Sequence, residues 1–135
     1  MKISTKGRYA LRLMLDLAIY DTGEPISLKD IAGRQEISEK YLEQIISAIN
    51  KAGFLVSVRG ANGGYRLRRA PEEYTVGDIL RVTEGSLAPV ACLEGTQNHC
   101  SRQADCVTLP VWRVLDKVIN DYLDSITLQD VLDEQ

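Results

Sequence analysis

Hydrophobic positions in the first fifty residues fall into three groups with helical spacing. The first group runs from Tyr9 to Ile19 without proline or glycine, and it predicts a helix in the core. Ser27 and Ser38 each stand just before one of the other groups, and serine is a preferred cap of a helix N-terminus. The pattern therefore predicts three helices, with a turn at 35–38 between the second and the third.

The third predicted helix, 39–51, has apolar and polar side chains on opposite faces. The apolar face carries Leu42, Ile45, Ile46 and Ile49, and the polar face carries Lys40, Glu43, Gln44, Ser47 and Lys51. Two helices with this layout are typical of a helix-turn-helix whose second helix enters the major groove of DNA. Any amphipathic surface helix also has a polar face, so this pattern alone leaves both interpretations open.

Two short strand patterns follow, at 54–58 and 65–68, with a glycine-rich loop between them. Three helices and a hairpin, in this order, predict a winged helix. Arg59 at the hairpin tip suits a narrow, electronegative minor groove. Gly60 and Gly63 would let the backbone approach DNA closely, and simple turn geometry explains them equally well.

The second half of the chain predicts a short helix at 75–85, an irregular polar segment at 86–107 and a long helix from 111 to 126. The long helix has too many apolar residues for one side of a solvated helix. We expect it to pair with its copy in a homodimer, and packing on the first helix is the alternative. A twofold dimer would present two recognition helices to a pseudo-palindromic site on double-stranded DNA.

The expected fold class is mainly α with a small β-hairpin: a winged helix-turn-helix followed by a long C-terminal dimerisation helix. The length of 135 residues suits one compact domain. Within it we assign 1–70 to DNA binding, 71–107 to a linking helix and cysteine loop, and 108–135 to the dimerisation helix and C-terminal segment. No apolar run resembles a signal core or a membrane span, so we expect a cytoplasmic protein without membrane contact.

Charge is distributed unevenly between the two halves of the chain. The net charge is −3, but residues 1–70 hold 12 Lys or Arg against 7 Asp or Glu, whereas residues 71–135 hold 4 against 12. A phosphate backbone responds to the local field of a surface, so the basic first half suits DNA. Ordinary surface variation can produce the same asymmetry.

All three cysteines, Cys92, Cys100 and Cys106, lie in the irregular segment. An odd number in a cytoplasmic chain argues against structural disulfides, and clustered thiolates suggest an iron–sulfur cluster or zinc. Either centre usually has four protein ligands. His99, the only histidine, is a candidate fourth ligand; a water, a thiol or a carboxylate of the other subunit is the alternative.

A thiol redox enzyme or a zinc enzyme is the alternative from another class. The sequence has no CxxC pair, no nucleophile elbow, no phosphate-binding glycine motif and no second histidine. We therefore expect a protein that is not an enzyme. A structural zinc site without a sensing role stays open, and zinc would leave the protein colourless.

Four motifs, at 1–10, 37–44, 58–65 and 126–128, together resemble the IscR, NsrR and CymR family of bacterial transcription regulators. The resemblance extends from Met1 almost to the end of the chain. The three-cysteine loop followed by a helix with Trp112 is most similar to the IscR branch. That similarity implies a homodimeric repressor or activator of iron–sulfur cluster assembly genes, with a 2Fe-2S cluster on the cysteine loop.

The resemblance also implies which residues contact DNA. Tyr41, Glu43 and Gln44 would read bases, Ser38 and Lys40 would touch the backbone, and Arg59, with Gly60 and Gly63 beside it, would enter the minor groove. Glutamine can pair with adenine and glutamate can accept from cytosine, which agrees with these roles. A carboxylate at Glu43 would penalise sites that lack a donor, which could make the choice of sequence depend on the state of the cluster.

Two departures from the IscR pattern concern the metal ligands. The first cysteine interval is two residues longer than in the best-known pattern, and Leu109 stands where a histidine follows the third cysteine. We favour 2Fe-2S, with the 4Fe-4S cluster of nitric-oxide-sensing, NsrR-like members as the alternative. Members that resemble CymR lack a cluster and respond to a partner enzyme of cysteine synthesis.

Overall fold

The structure is a computed structural model that describes residues 2–98 and 100–134. Its elements are α1 (Thr5–Ile19), α2 (Leu28–Gln35), α3 (Glu39–Lys51), β1 (Leu55–Val58), β2 (Gly64–Leu67), α4 (Val76–Glu84), α5 (Leu109–Ser125) and α6 (Leu128–Asp133), with short 3₁₀ turns at Pro71–Glu73 and Ala91–Leu93. The predicted mainly helical fold with one hairpin is confirmed. No described helix is long and apolar enough to cross a membrane.

Serine side chains cap the first three helices. The hydroxyl of Ser27 accepts a hydrogen bond from the backbone N–H of Asp30 at 3.1 Å, and that of Ser38 accepts from Tyr41 at 3.2 Å. Both predicted caps are confirmed. Between α2 and α3, Glu36 adopts the left-handed conformation with φ 54° and ψ 46°, which ends α2 and redirects the chain.

The hairpin pairs β1 and β2 in antiparallel register, from Leu55 opposite Leu67 to Val58 opposite Gly64. Ile26 extends this sheet through an isolated bridge to Tyr65, with reciprocal backbone hydrogen bonds of 2.9 and 2.8 Å. Gly64 has φ +153°, and a Cβ there would lie 2.1 Å from the Ile26 carbonyl oxygen. Close backbone approach therefore requires glycine at this position.

One hydrophobic core joins the three N-terminal helices to the hairpin and to two later helices. Its fully buried members include Leu13, Met14, Leu17, Ile31, Leu42, Ile45, Ile49, Leu55, Tyr74, Ile79 and Leu128. The Tyr74 hydroxyl donates to the Phe54 carbonyl at 2.7 Å and accepts from the N–H groups of Arg68 and Arg69 at 3.1 and 3.0 Å. Tyr74 thus ties the base of the hairpin to the core.

The long helix predicted near the C-terminus is confirmed as α5. Ile119 and Leu123 on one side pack on a second cluster that contains Leu80 of α4. Its other side leaves apolar residues exposed: Val111, Val114, Leu115, Val118 and Tyr122. The sequence predicted no helix after α5, but α6 forms there, with Leu128 completely buried.

Candidate nucleic-acid interface and cysteine segment

The solvent-facing side of α3 carries three of the eight residues assigned to DNA contact, and two more lie at the start of this helix. Lys40, Glu43 and Gln44 are exposed, Ser38 caps the start of the helix, and Tyr41 is half-buried. The opposite side faces the core, because the four apolar residues of the predicted face are all buried. The amphipathic helix is confirmed, while the contacts of these side chains with DNA stay a prediction.

The hairpin tip presents Arg59 and Gly60 to solvent. Gly60 has φ +107°, and the N–H of Gly63 donates to the carbonyl of Gly60 at 3.0 Å. A Cβ on Gly63 would lie 2.1 Å from the Val58 carbonyl oxygen. Turn geometry therefore suffices to require both glycines, and close approach to DNA is an additional role that remains predicted.

A buried charge network supports the helix-turn-helix from beneath. Asp16 on α1 is fully buried and accepts two hydrogen bonds from the Arg34 guanidinium, at 2.8 and 3.0 Å, and one from Gln35 Nε2 at 2.9 Å. The hydrogen bond to Asp16 raises the pKa of Arg34 above its ordinary value. Sequence reasoning missed this network, and the signal for it was a lone carboxylate between Leu15 and Leu17.

The cysteine segment, residues 86–107, does not gather its three thiols, all of which the structure describes, into one metal-binding group. Cys92 and Cys100 line an open cleft of ≈ 350 Å³ together with Ala91, Glu94 and Gln97. Cys106 lies just before α5, and its Sγ is 3.4 Å from the Thr108 hydroxyl oxygen. Hydrogen bonding to Thr108 lowers the pKa of the Cys106 thiol. The structure thus brings two of the three predicted ligands together.

The cysteine segment contains suitable donors for a thiolate-bound metal, although they are not assembled. Within residues 2–98 and 100–134, no three His, Cys, Asp or Glu side chains form a group that could hold a metal ion. His99, the candidate fourth ligand, lies outside the described residues. Three thiols in one segment fit the chemistry of an iron–sulfur or zinc centre, and Cys92, Cys100 and Cys106 are the residues that would hold it.

The start of the cysteine segment connects with the first helix. Glu84, at the end of α4, accepts hydrogen bonds from the backbone N–H and the hydroxyl of Ser4 at 3.1 and 2.6 Å. Leu87, three residues after the last residue of α4, is buried in the second cluster, on which Ile3 and, in α1, Leu11 also pack. A change at the beginning of the segment therefore has a direct route to α1.

The segment also rests on the junction of α4 and α5. Arg81 donates to Asp124 at 2.6 and 3.0 Å and to Asn120 at 2.6 Å, and the bond to Asp124 raises the pKa of Arg81. A cleft of ≈ 240 Å³ beside this clamp is lined by residues of the segment, including Leu87 and Leu93. Contacts at the α4–α5 junction therefore connect the cysteine segment to α5, the helix whose other side leaves apolar residues exposed.

A helix-turn-helix with a hairpin wing, followed by a long helix, defines the winged-helix class to which this fold belongs. The profile of the Rrf2 family, described as "Iron-dependent Transcriptional regulator", matches residues 3–134. The chain belongs to the Rrf2 family of transcriptional regulators. This finding confirms the family resemblance and the expectation of a protein that is not an enzyme.

Relatives resemble this chain over nearly its whole length. Protein rrf2 of Nitratidesulfovibrio vulgaris is 42% identical over 132 residues, which cover 98% of this chain and 87% of that protein. The structure of CymR, the global cysteine regulator of B. subtilis, superposes with a TM-score of 0.80 at 41% identity and covers 100% of this chain and 98% of its own. T. potens IscR gives a TM-score of 0.77 at 46% identity, covering 99% and 88%.

Proposed function

We propose that this chain is a homodimeric repressor or activator that reads a pseudo-palindromic operator and senses its signal through an iron–sulfur cluster on the cysteine segment. The observation that carries the proposal is the position of that segment. It joins the end of α4, lines a cleft at the α4–α5 junction, and buries Leu87 in the cluster on which Leu11 of α1 also packs. A change in the segment would therefore act on helices that hold the winged helix-turn-helix of residues 1–70.

For DNA contact we propose the residues at the start and on the outer face of α3 and at the hairpin tip: Ser38, Lys40, Tyr41, Glu43, Gln44, Arg59, Gly60 and Gly63. Exposure of Lys40 and Arg59 supports their reach to phosphate and to the minor groove. Glu43 and Gln44 are adjacent and exposed, so they can approach neighbouring bases in the major groove. Because the family is one of transcriptional regulators, we propose a cytoplasmic location.

For dimerisation we propose the exposed apolar side of α5. Val114 and Tyr122 are 64% and 62% exposed, although they lie on a helix whose other side is packed on α4. Burial of that side against its copy would remove apolar surface from water and set the distance between two recognition helices. Arg81 would transmit this geometry, because it clamps α5 to α4.

For cluster binding we propose Cys92, Cys100 and Cys106, with 2Fe-2S favoured and 4Fe-4S as the alternative. A bound cluster would supply a centre that iron supply, oxidants or nitric oxide can alter. The three thiols would have to come together, so the segment would become ordered around them. By linkage, any preference of the ordered segment for one arrangement of the two winged helix-turn-helix units would change affinity for the operator.

Two observations favour a second candidate, a regulator of cysteine metabolism that lacks a cluster and answers to a partner enzyme. One is the overlap with CymR, which is a global cysteine regulator, with a TM-score of 0.80. The other is that the cysteines of the described residues are not gathered into a metal-binding group. Both candidate functions include DNA binding. The presence or absence of a bound iron–sulfur cluster therefore distinguishes them.

The first experiment is an ultraviolet-visible spectrum and metal analysis of protein purified without oxygen, compared with Cys92→Ala. Ser101→Ala is the matched control, because it changes another exposed residue of the same segment. We expect visible absorption and bound iron that Cys92→Ala loses and Ser101→Ala keeps. A colourless protein with zinc would indicate a structural site, and a metal-free protein would favour the second candidate.

A binding measurement completes the test of sensing. Operators are obtained by selecting 30-bp duplexes from a randomised pool with the unaltered chain, and affinities are compared between cluster-loaded and metal-free protein. We expect at least one class of duplex to distinguish the two forms. Equal affinity of both forms for every selected duplex would contradict a sensing role.

A further inference from the structure

We propose that Tyr9 and Arg12 on α1 are positioning residues that fix the ring of Tyr41 for the reading of bases. The inference rests on the proposed function, which assigns base contact to Tyr41. Neither Tyr9 nor Arg12 belongs to the residues proposed to contact DNA. Their contacts form a continuous chain from the buried carboxylate of Asp16 to the recognition helix.

The first link of this chain is an aromatic pair between α1 and α3. Tyr41 is the third residue of α3, and its ring meets that of Tyr9 edge to face, with centroids 5.9 Å apart and planes at 79°. Both rings are half-buried and pack against the core. Tyr9 therefore restricts the direction in which the Tyr41 side chain leaves the helix.

The second link is Arg12, whose guanidinium lies over the ring of Tyr9. Its guanidinium carbon is 5.0 Å from the centroid of the Tyr9 ring, within the range of a cation–π interaction. Arg12 is exposed, so its long side chain would sample many rotamers if nothing held it. Two hydrogen bonds hold it: Nε donates to Gln35 Oε1 at 3.0 Å, and Nη2 donates to the Gln35 carbonyl.

The third link is the hydrogen bond from Gln35 to Asp16, which orients the Gln35 amide so that its oxygen faces Arg12. A primary amide has donors at one end and an acceptor at the other. Its Nε2 donates to the Asp16 carboxylate at 2.9 Å, which leaves Oε1 to accept from Arg12. Asp16 is fixed in turn by Arg34. A buried carboxylate thus orients an exposed arginine through one glutamine.

The consequence is preorganisation of a side chain that reads DNA. A ring that is already held in place loses less conformational entropy when it meets a base. This advantage applies to a site where Tyr41 makes a base contact and is absent on DNA bound through phosphates alone. The network should therefore raise the ratio of specific to non-specific affinity rather than both affinities equally.

The test compares Arg12→Met with Arg8→Met in the full chain. Arg8 lies one turn earlier on α1, is exposed, and donates to Thr5, so its replacement removes the same charge from the same helix. The probes are a 30-bp duplex selected from a randomised pool by the unaltered chain and a scrambled duplex of equal length. We expect Arg12→Met to lower the affinity ratio of selected to scrambled DNA about three- to tenfold, and Arg8→Met to leave the ratio unchanged.

A measurement without DNA separates positioning from DNA contact. In spectra of the full chain with ¹³C-labelled tyrosine, Arg12→Met and Tyr9→Leu should shift or broaden the ring signals of Tyr41, and Arg8→Met should not. An unchanged affinity ratio in Arg12→Met would overturn the inference. Failure of the unaltered chain to select any sequence would instead contradict the proposed function, and the tyrosine spectra would then decide the positioning alone.

Discussion

The winged helix-turn-helix of residues 1–70, called the head, and the cysteine segment differ in how their structures are held. In the head, serine caps satisfy the first turn of α1, α2 and α3, and Asp16 is buried with three hydrogen bonds. In the segment, the described residues from 94 to 107 are exposed except for Asn98 and Cys106, which are half-buried. Packing, helix caps and a buried carboxylate therefore hold the head, whereas most of the segment from 94 to 107 is exposed and has little packing of its own.

The largest stability effect should come from removing the buried carboxylate of the head. Asp16→Ala would leave Arg34 and Gln35 without their acceptor and would open a gap beside α2. Because a fully buried carboxylate and its three hydrogen bonds are lost, while the part-exposed Arg34 can turn to water, we expect a decrease of about 3 kcal/mol in the free energy of unfolding. Urea unfolding of metal-free protein at one fixed concentration measures it, since the stability of the proposed dimer would depend on protein concentration.

An exposed carboxylate provides the control for Asp16. Asp121→Ala removes the surface ion pair with Lys117 on α5, where both side chains are largely solvated. Such pairs contribute little, so the change should stay within about 0.5 kcal/mol. If Asp16→Ala were equally mild, the head would not depend on its charge network, and the contrast between the two regions would weaken.

The next effect should come from backbone contact at the hairpin. Gly64→Ala would force a Cβ against the Ile26 carbonyl and disturb the bridge to Tyr65. We expect a loss of about 2 kcal/mol in the same unfolding assay. Gly33→Ala is the control with the opposite sign, because Gly33 lies inside α2 with open space around it and should gain about 0.5 to 1 kcal/mol.

A somewhat smaller loss is expected for Tyr74→Phe at the base of the hairpin. The ring would stay in place beside Phe54, with which it packs edge to face, while the Phe54 carbonyl and two backbone N–H groups lose their partner. The expected decrease is about 1 to 2 kcal/mol. An effect near zero would indicate that water reaches the hairpin base and replaces the hydroxyl.

Local signals were sufficient to predict much of the head. The caps at Ser27 and Ser38 depend on the residue and its next three neighbours, and the apolar face of α3 follows from its period. The hairpin strands were predicted within one residue of their observed ends. By contrast, α6 was missed, because a six-residue helix gains its stability from burying Leu128 in a core made by distant residues.

The candidate site was less accessible to sequence reasoning than the fold. Exposure of Lys40, Glu43 and Gln44 follows from helical period, but their assignment to DNA came from the family resemblance. The link from Asp16 to Gln35 spans 19 positions and exists only after α1 and α2 have packed. Likewise, the spacing of the cysteines did not reveal that Cys92 and Cys100 line one cleft while Cys106 contacts Thr108 just before α5.

The smallest effect on stability should come from the segment itself. Cys100 is exposed, so Cys100→Ser removes little packing, and the unfolding free energy of chelator-treated, metal-free protein should change by less than about 0.5 kcal/mol. The same variant should lose the visible absorption of protein purified without oxygen, because a serine hydroxyl is a poor substitute for a thiolate. A loss of more than about 1 kcal/mol in the metal-free protein would contradict the contrast drawn between the two regions. It would mean that the segment has a packed structure of its own, and that Cys100 belongs to it before any metal binds.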